Sequence, residues 1–109
     1  MYIRVIDIIG DRATDMQQGD KILNEIRSGL ALSETVEVDF CDMQTVLSTF
    51  MNNAIGTLYQ YYTSEFLNQY LKITNLCSDD MFILKRVIER AKDFYSNEKA
   101  ITETLNDVL

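Results

Sequence analysis

The sequence has no histidine and no proline, and only two cysteines and four glycines among its 109 residues. Without histidine there is no Ser–His–Asp triad, no Cys–His pair and no imidazole metal site. Without proline, turns rest on Gly, Asn, Asp and Ser. Two cysteines are too few for a disulfide scaffold or a structural zinc site. No apolar run approaches the roughly 20 residues of a membrane span. Met1-Tyr2-Ile3-Arg4 lacks a basic segment followed by a long apolar stretch, so no secretion signal is expected. A reducing, cytoplasmic setting is expected. Basic residues are scarce as well: 10 Lys and Arg stand against 17 Asp and Glu, a net charge of −7. Nucleic-acid affinity comes from Lys and Arg, and a chain this acidic repels anionic membrane, so neither is an expected partner.

What is present is an ordinary globular balance, 47% hydrophobic and 25% charged. Its length is that of one domain, residues 1–109, able to bury a core without a covalent staple. Residues 2–9, Tyr-Ile-Arg-Val-Ile-Asp-Ile-Ile, are β-branched and partly alternating, which predicts a strand ended by Gly10-Asp11. Residues 10–19 are polar and flanked by glycines, which predicts a loop. From Asp20, the spacing of Ile22, Leu23, Ile26 and Leu30 predicts a helix that frays near Gly29.

Val36, Val38 and Phe40 alternate with Glu37 and Asp39, so residues 36–40 are expected to form a strand. A short link leads to Ser48 as N-cap of a second helix over 49–62, buried through Met51, Ala54, Ile55, Leu58 and Tyr62. Residues 70–74 predict a third strand. Ser78 is expected to cap a third helix over 79–95, buried through Leu84, Val87, Ile88, Ala91 and Tyr95. The tail, 96–109, is expected to add a short helical extension with Ile101, Leu105 and Val108 on one side. The order β-α-β-α-β-α implies an α/β fold: a small, mostly parallel or mixed sheet with helices packed on it.

One segment carries more than pattern. Val36-Glu37-Val38-Asp39-Phe40, seven linking residues, and Ser48-Thr49-Phe50-Met51-Asn52-Asn53-Ala54-Ile55-Gly56-Thr57-Leu58 resemble the STAS-like domain family of unknown function. Gly10-Asp11-Arg12 with Gly19, Ile73-Thr74-Asn75-Leu76 and Ala91-Lys92-Asp93-Phe94-Tyr95 fit the same family, so the likeness covers about residues 7–95. More distantly, the segment is similar to the STAS domains of bacterial anti-sigma-factor antagonists. Those carry an Asp-Ser-Ser-Gly motif at a helix start, whose first Ser is phosphorylated by an ATP-binding anti-sigma kinase. Counted from Asp39, the two hydroxyl positions fall on Ser48 and Thr49, while Leu47 and Phe50 stand where the motif has Asp and Gly.

Each candidate site residue has two readings. Ser48 is a helix cap, a phospho-acceptor, or both, with Thr49 as the second acceptor. Asp39 and Asp42 are two acids at a strand end, too isolated for catalysis without a third group, so no catalytic or metal site and no cofactor is expected. Cys41 and Cys77 read as small hydrophobes. Gly10-Asp11-Arg12 lacks the ending of a phosphate-binding loop. Tyr59, Tyr61, Tyr62 and Tyr70 cannot all be buried, and exposed tyrosine favours interfaces. From Ser28 to Leu71 there is no Lys or Arg, while Glu34, Glu37, Asp39, Asp42 and Glu65 are acidic, a surface suited to a basic protein partner.

The resemblance implies a non-catalytic, cytoplasmic bacterial regulatory module that binds a protein partner, such as an ATP-binding kinase-like regulator, through its second helix. Asp39, Asp42, Asn52, Asn53 and Tyr59 are the expected contact residues, Ser48 or Thr49 the switch, and homodimerisation is open. Two other classes stay open: a subunit of a bacterial defence or toxin–antitoxin complex, and a small-molecule or nucleotide sensor working at the strand ends. Capture of a neighbour-encoded partner favours the interaction readings; ligand-dependent thermal stabilisation favours the sensor.

Overall fold

A computed structural model describes the backbone of residues 1–108 and the side chains of residues 1–96. Three strands, β1 (Tyr2–Arg4), β3 (Val36–Asp39) and β5 (Leu71–Thr74), form one parallel sheet in the order β1-β3-β5. Tyr2 pairs with Glu37 and Arg4 with Asp39; Val36 pairs with Leu71 and Asp39 with Thr74. Alternation then separates the two faces. Ile3, Val36 and Val38 are buried beneath the helices, and Tyr2, Arg4, Glu37, Asp39, Lys72 and Thr74 share the opposite, polar face. On that face the Thr74 hydroxyl donates to Glu37 at 3.0 Å. The three expected strands thus lie in one sheet, with helices packed on it.

The first strand is shorter than its β-branched run predicts. β1 stops at Arg4, and Val5–Ile9 form a one-and-a-half-turn helix, α1, closed by Gly10, whose N–H bonds Ile6 at 3.0 Å. The reason is the partner: β3 ends at Asp39, opposite Arg4, so no neighbouring strand is left for residues 5–9. An Arg4–Asp7 ion pair at 2.9 Å spans the helical turn.

The expected loop over residues 10–19 is mostly ordered structure. Arg12–Ala13 form β2, parallel to β4 (Thr45–Val46) in what was expected to be plain link. Helix α2 (Met16–Ala31) begins four residues before Asp20, and it passes Gly29 without fraying. Its start is a capping box: the Asp15 carboxylate accepts from Gln18 N–H at 2.8 Å, and the Gln18 side chain accepts from Asp15 N–H at 3.2 Å.

The expected second helix is broken into pieces: α3 (Ser48–Met51), a π-helical turn (Asn52–Gly56) and α4 (Leu58–Tyr61). Thr57 N–H bonds Asn52 carbonyl at 3.1 Å, one residue beyond the α-helical partner. This widening lets Ala54, Ile55 and Gly56 be buried consecutively. The turn is flanked by α2, approached through Asn53, and by the long C-terminal helix that carries Val87 and Ala91, approached through Gly56.

Residues 63–69, unassigned by pattern, belong to α5 (Ser64–Tyr70), capped by Thr63, which accepts from Phe66 N–H at 3.1 Å. Tyr70, expected to begin the third strand, is the last residue of α5. Helix α6 runs from Ser78 to Val108, so Ser78 is its first residue, and the expected separate tail helix is continuous with it. Leu84, Val87 and Ala91 are buried, but Ile88 and Tyr95 are half-buried. The face expected for Ile101, Leu105 and Val108 lies outside the described residues. Among the described residues no helix is long and apolar enough to cross a membrane.

Candidate functional site

The turn that begins α3 is positioned by the β2–β4 pair. Gln44 N–H donates to Asp11 carbonyl at 2.8 Å, and Leu47 N–H to Ala13 carbonyl at 2.8 Å. Val46 is buried as the anchor and Leu47 is left facing outward, 45% exposed. Ser48 and Thr49 follow, both exposed. The N-cap is Leu47, not Ser48, and no side chain caps the turn. The expectation that Ser48 serves as the cap is therefore corrected. Its register is one residue too late, because Leu47 already takes the extended conformation that a cap requires.

Around this turn lie Met16, 61% exposed at the start of α2, and Asn52 of the π-helical turn, also exposed. Met16, Thr49, Asn52 and Asn53 enclose a shallow concavity of about 240 Å³. Asn53 forms its floor and is occupied structurally: its Nδ2 donates to Met16 carbonyl at 2.7 Å and to Asp20 Oδ1 at 2.6 Å. Below it, α2 and the π-helical turn come together at Gly19. A Cβ placed there would stand 2.9 Å from Asn53 Cβ and 3.1 Å from Phe50 carbonyl oxygen.

The other expected contact residues fall elsewhere. Asp39 is only 5% exposed and its carboxylate is fully engaged inside the fold. It accepts from the Tyr2 hydroxyl, from Cys41 N–H at 2.8 Å and from Asn75 Nδ2 at 2.8 Å. Asn75 is in the left-handed region at φ 59°, which Asn tolerates. Asp39 locks a strand end, where it was expected to face a partner. Asp42 is exposed and paired with Arg4 at 2.9 Å. Tyr59 is half-buried near the far end of the helical segment, and burial pushes its phenol pKa up. Cys41 is half-buried and Cys77 exposed, and both are free. Among the described residues no three acidic or thiol groups gather as a metal site.

The sequence reading missed Met16, Leu47 and Gly19. A usable signal existed for the first: Asp15-x-x-Gln18 is a capping-box pattern that marks Met16 as the first residue of a helix. Nothing local marks Leu47 as outward-facing or Gly19 as a point of close approach.

The Asp39–Tyr2 bond gives a pH expectation. Tyr2 first, then Asn75, hold the Asp39 carboxyl below its usual range, and the same bond pushes the Tyr2 phenol up to about 12. A depressed carboxyl stabilises the fold above its unfolded pKa, about 4, and loses that contribution as pH falls through its lower folded value. A raised phenol stabilises below its unfolded pKa, about 10, and loses that contribution as pH rises toward the folded value. Urea midpoints measured across pH are expected to fall less steeply in acid for Asp39→Asn than for the wild type. Tyr2→Phe is expected to flatten the alkaline limb as well. Parallel curves for all three proteins would show that the bond is not formed.

A family model described as "STAS-like domain of unknown function (DUF4325)" matches residues 18–81, from the first turn of α2 into the first turn of α6. The chain belongs to that family. No curated protein and no solved structure matches it. The STAS-like match spans β3, the α3 turn and β5, and so includes Ser48, Thr49, Asn52 and Asn53.

Proposed function

We propose that this STAS-like domain is a non-catalytic regulatory module of the cytoplasm that binds a protein partner through the α3 turn, in the manner of anti-sigma-factor antagonists. Phosphorylation of Ser48, or of Thr49 beside it, switches the interaction. The observation that carries the proposal is the exposure of both hydroxyls next to two exposed apolar side chains, Leu47 and Met16. Apolar anchors ringed by Asn and hydroxyl groups are the composition of a protein-contact patch. A phosphate there adds about two negative charges at the start of a helix, where the fold tolerates them. The same charge alters complementarity toward a partner. An ATP-binding kinase-like regulator of the bacterial cytoplasm is the partner class that fits such a switch.

Because Ser48 is not a cap, Ser48→Ala is expected to change stability by no more than about 0.5 kcal/mol. Ser48→Asp is expected to leave the fold intact or stabilise it by about 0.3–1 kcal/mol. The test is capture from native extract with wild type, Ser48→Asp and Leu47→Asp as baits, read by quantitative mass spectrometry, together with phosphosite mapping of the native chain. A partner retained by wild type and depleted at least about tenfold by both substitutions, with phosphate on Ser48 or Thr49, supports the proposal. Identical capture by the three baits, or no phosphate at either residue, overturns it.

A further inference from the structure

Helix α6 meets the core with one side only. Leu84, Val87 and Ala91 are buried, and Val87 and Ala91 lie against the π-helical turn at Gly56. The opposite side carries Phe82, Arg86, Glu89, Arg90, Asp93 and Phe94, all exposed. Phe82, Arg86, Arg90 and Phe94 recur every four residues, so they follow one another along one surface stripe. Its two ends are phenylalanines, 62% and 63% exposed. Glu89 and Asp93, also four residues apart, run beside the stripe. Lys92 is turned off it, with Nζ 5.8 Å from the Tyr59 ring centre. Arg86 leans back toward Phe82, its guanidinium carbon 5.9 Å from the ring centre. Among the described residues the ion pairs are those of Arg4 with Asp7 and Asp42, so the four charges of this face have no partner in their own chain.

The order of those charges identifies what covers them. Arg86, Glu89, Arg90 and Asp93 run plus, minus, plus, minus along the helix, and the same row read backwards is minus, plus, minus, plus. A second α6 laid antiparallel on this face therefore offers the opposite sign at every position: Arg86 meets the second copy's Asp93, Glu89 meets its Arg90, and the two-fold axis repeats both pairs. Parallel alignment would set each charge beside its own like, which is repulsive. The antiparallel register also brings each Phe82 within about one helical turn of Phe94 of the second copy, so an aromatic contact closes each end. We propose that residues 82–94 of α6 bind the same residues of a second copy, antiparallel, so that the chain forms a two-fold homodimer with an isologous interface. The face spans only about 20 Å of helix, so the dimer belongs to the small, transient class of interface, with a dissociation constant of about 10–100 μM. No residue of the α3 turn belongs to this face, so the two proposals stand or fall separately.

The test uses the full chain and sedimentation equilibrium, which is expected to show dimer at about 100 μM. Arg86→Glu sets an acid against Asp93 of the second copy, and Asp93→Arg sets a cation against its Arg86, each twice per dimer. Either substitution alone is expected to raise the dissociation constant about tenfold or more. Both positions are exposed, so the far-ultraviolet spectrum and the urea midpoint are expected to stay unchanged. Mixing the two single variants opposes unlike charges again at both positions, and is expected to restore association to the wild-type level. The double variant Arg86→Glu/Asp93→Arg is expected to dimerise by itself for the same reason. A chain that stays monomeric up to about 500 μM overturns the proposal. A dimer indifferent to the single substitutions, or no recovery on mixing, places the interface elsewhere and overturns it equally. A monomer that captures a different protein through Arg86 and Asp93 gives the face to that protein and overturns the proposal as well.

Discussion

Phe50→Ala is expected to lower the unfolding free energy by about 3–5 kcal/mol, the range for emptying a buried aromatic site. Phe50 is fully buried and meets Phe40 edge to face, with centroids 6.4 Å apart and rings at 85°. Such pairs add about 0.5–1.5 kcal/mol beyond the area they bury. The side chain sits two residues after Ser48, so it holds the α3 turn to the end of the central strand. Domains of this size are stable by only about 5–15 kcal/mol, so this loss is a large share of the total. Urea unfolding followed by circular dichroism measures this directly. A loss below about 1 kcal/mol would mean that Phe50 is not a core residue.

Gly19→Ala is expected to destabilise the fold by roughly 1–3 kcal/mol, the usual penalty of overpacking. This runs against local preference, because alanine in a helix interior is favoured over glycine by about 1 kcal/mol. The tertiary contact decides the sign. The new methyl would meet Asn53 Cβ at 2.9 Å and Phe50 carbonyl oxygen at 3.1 Å, and neither is the free end of a flexible chain. Relief requires α2 to move away from the π-helical turn, which strains the two hydrogen bonds of Asn53 and opens the concavity beside Thr49. The expected signature is a lower urea midpoint together with altered partner capture. A stabilised Gly19→Ala protein would show that the two elements are not in close contact.

Periodicity made much of this architecture legible. Val36, Val38 and Phe40 record burial of one strand face, and Leu84, Val87 and Ala91 record the inward stripe of α6, because each pattern is a local trace of which side meets the core. The Ser48-Thr49 pair was legible through family likeness. Its exposure was expected with it; the β2–β4 pairing across more than thirty residues of chain that presents the pair was not.

The limits of local reading fall at particular residues. The run Val5–Ile9 has strand composition and becomes a helix because β3 offers no partner beyond Asp39. Asp39 looks like a surface acid and is buried, because Tyr2, Cys41 and Asn75 converge on it from three parts of the chain. The π-helical turn answers to α2 on one side and α6 on the other, neither of which residues 52–56 encode. The sequence by itself therefore determined the element types with strong period, the sharing of one mostly parallel or mixed sheet by the main strands and the location of the hydroxyl pair. Only the tertiary structure decided where strands end, which polar groups are used up internally and which side chains are left for a partner. The physical reason is that hydrophobic period is set by neighbours in the chain, whereas pairing, burial of charge and close approach are set by residues that meet only after folding.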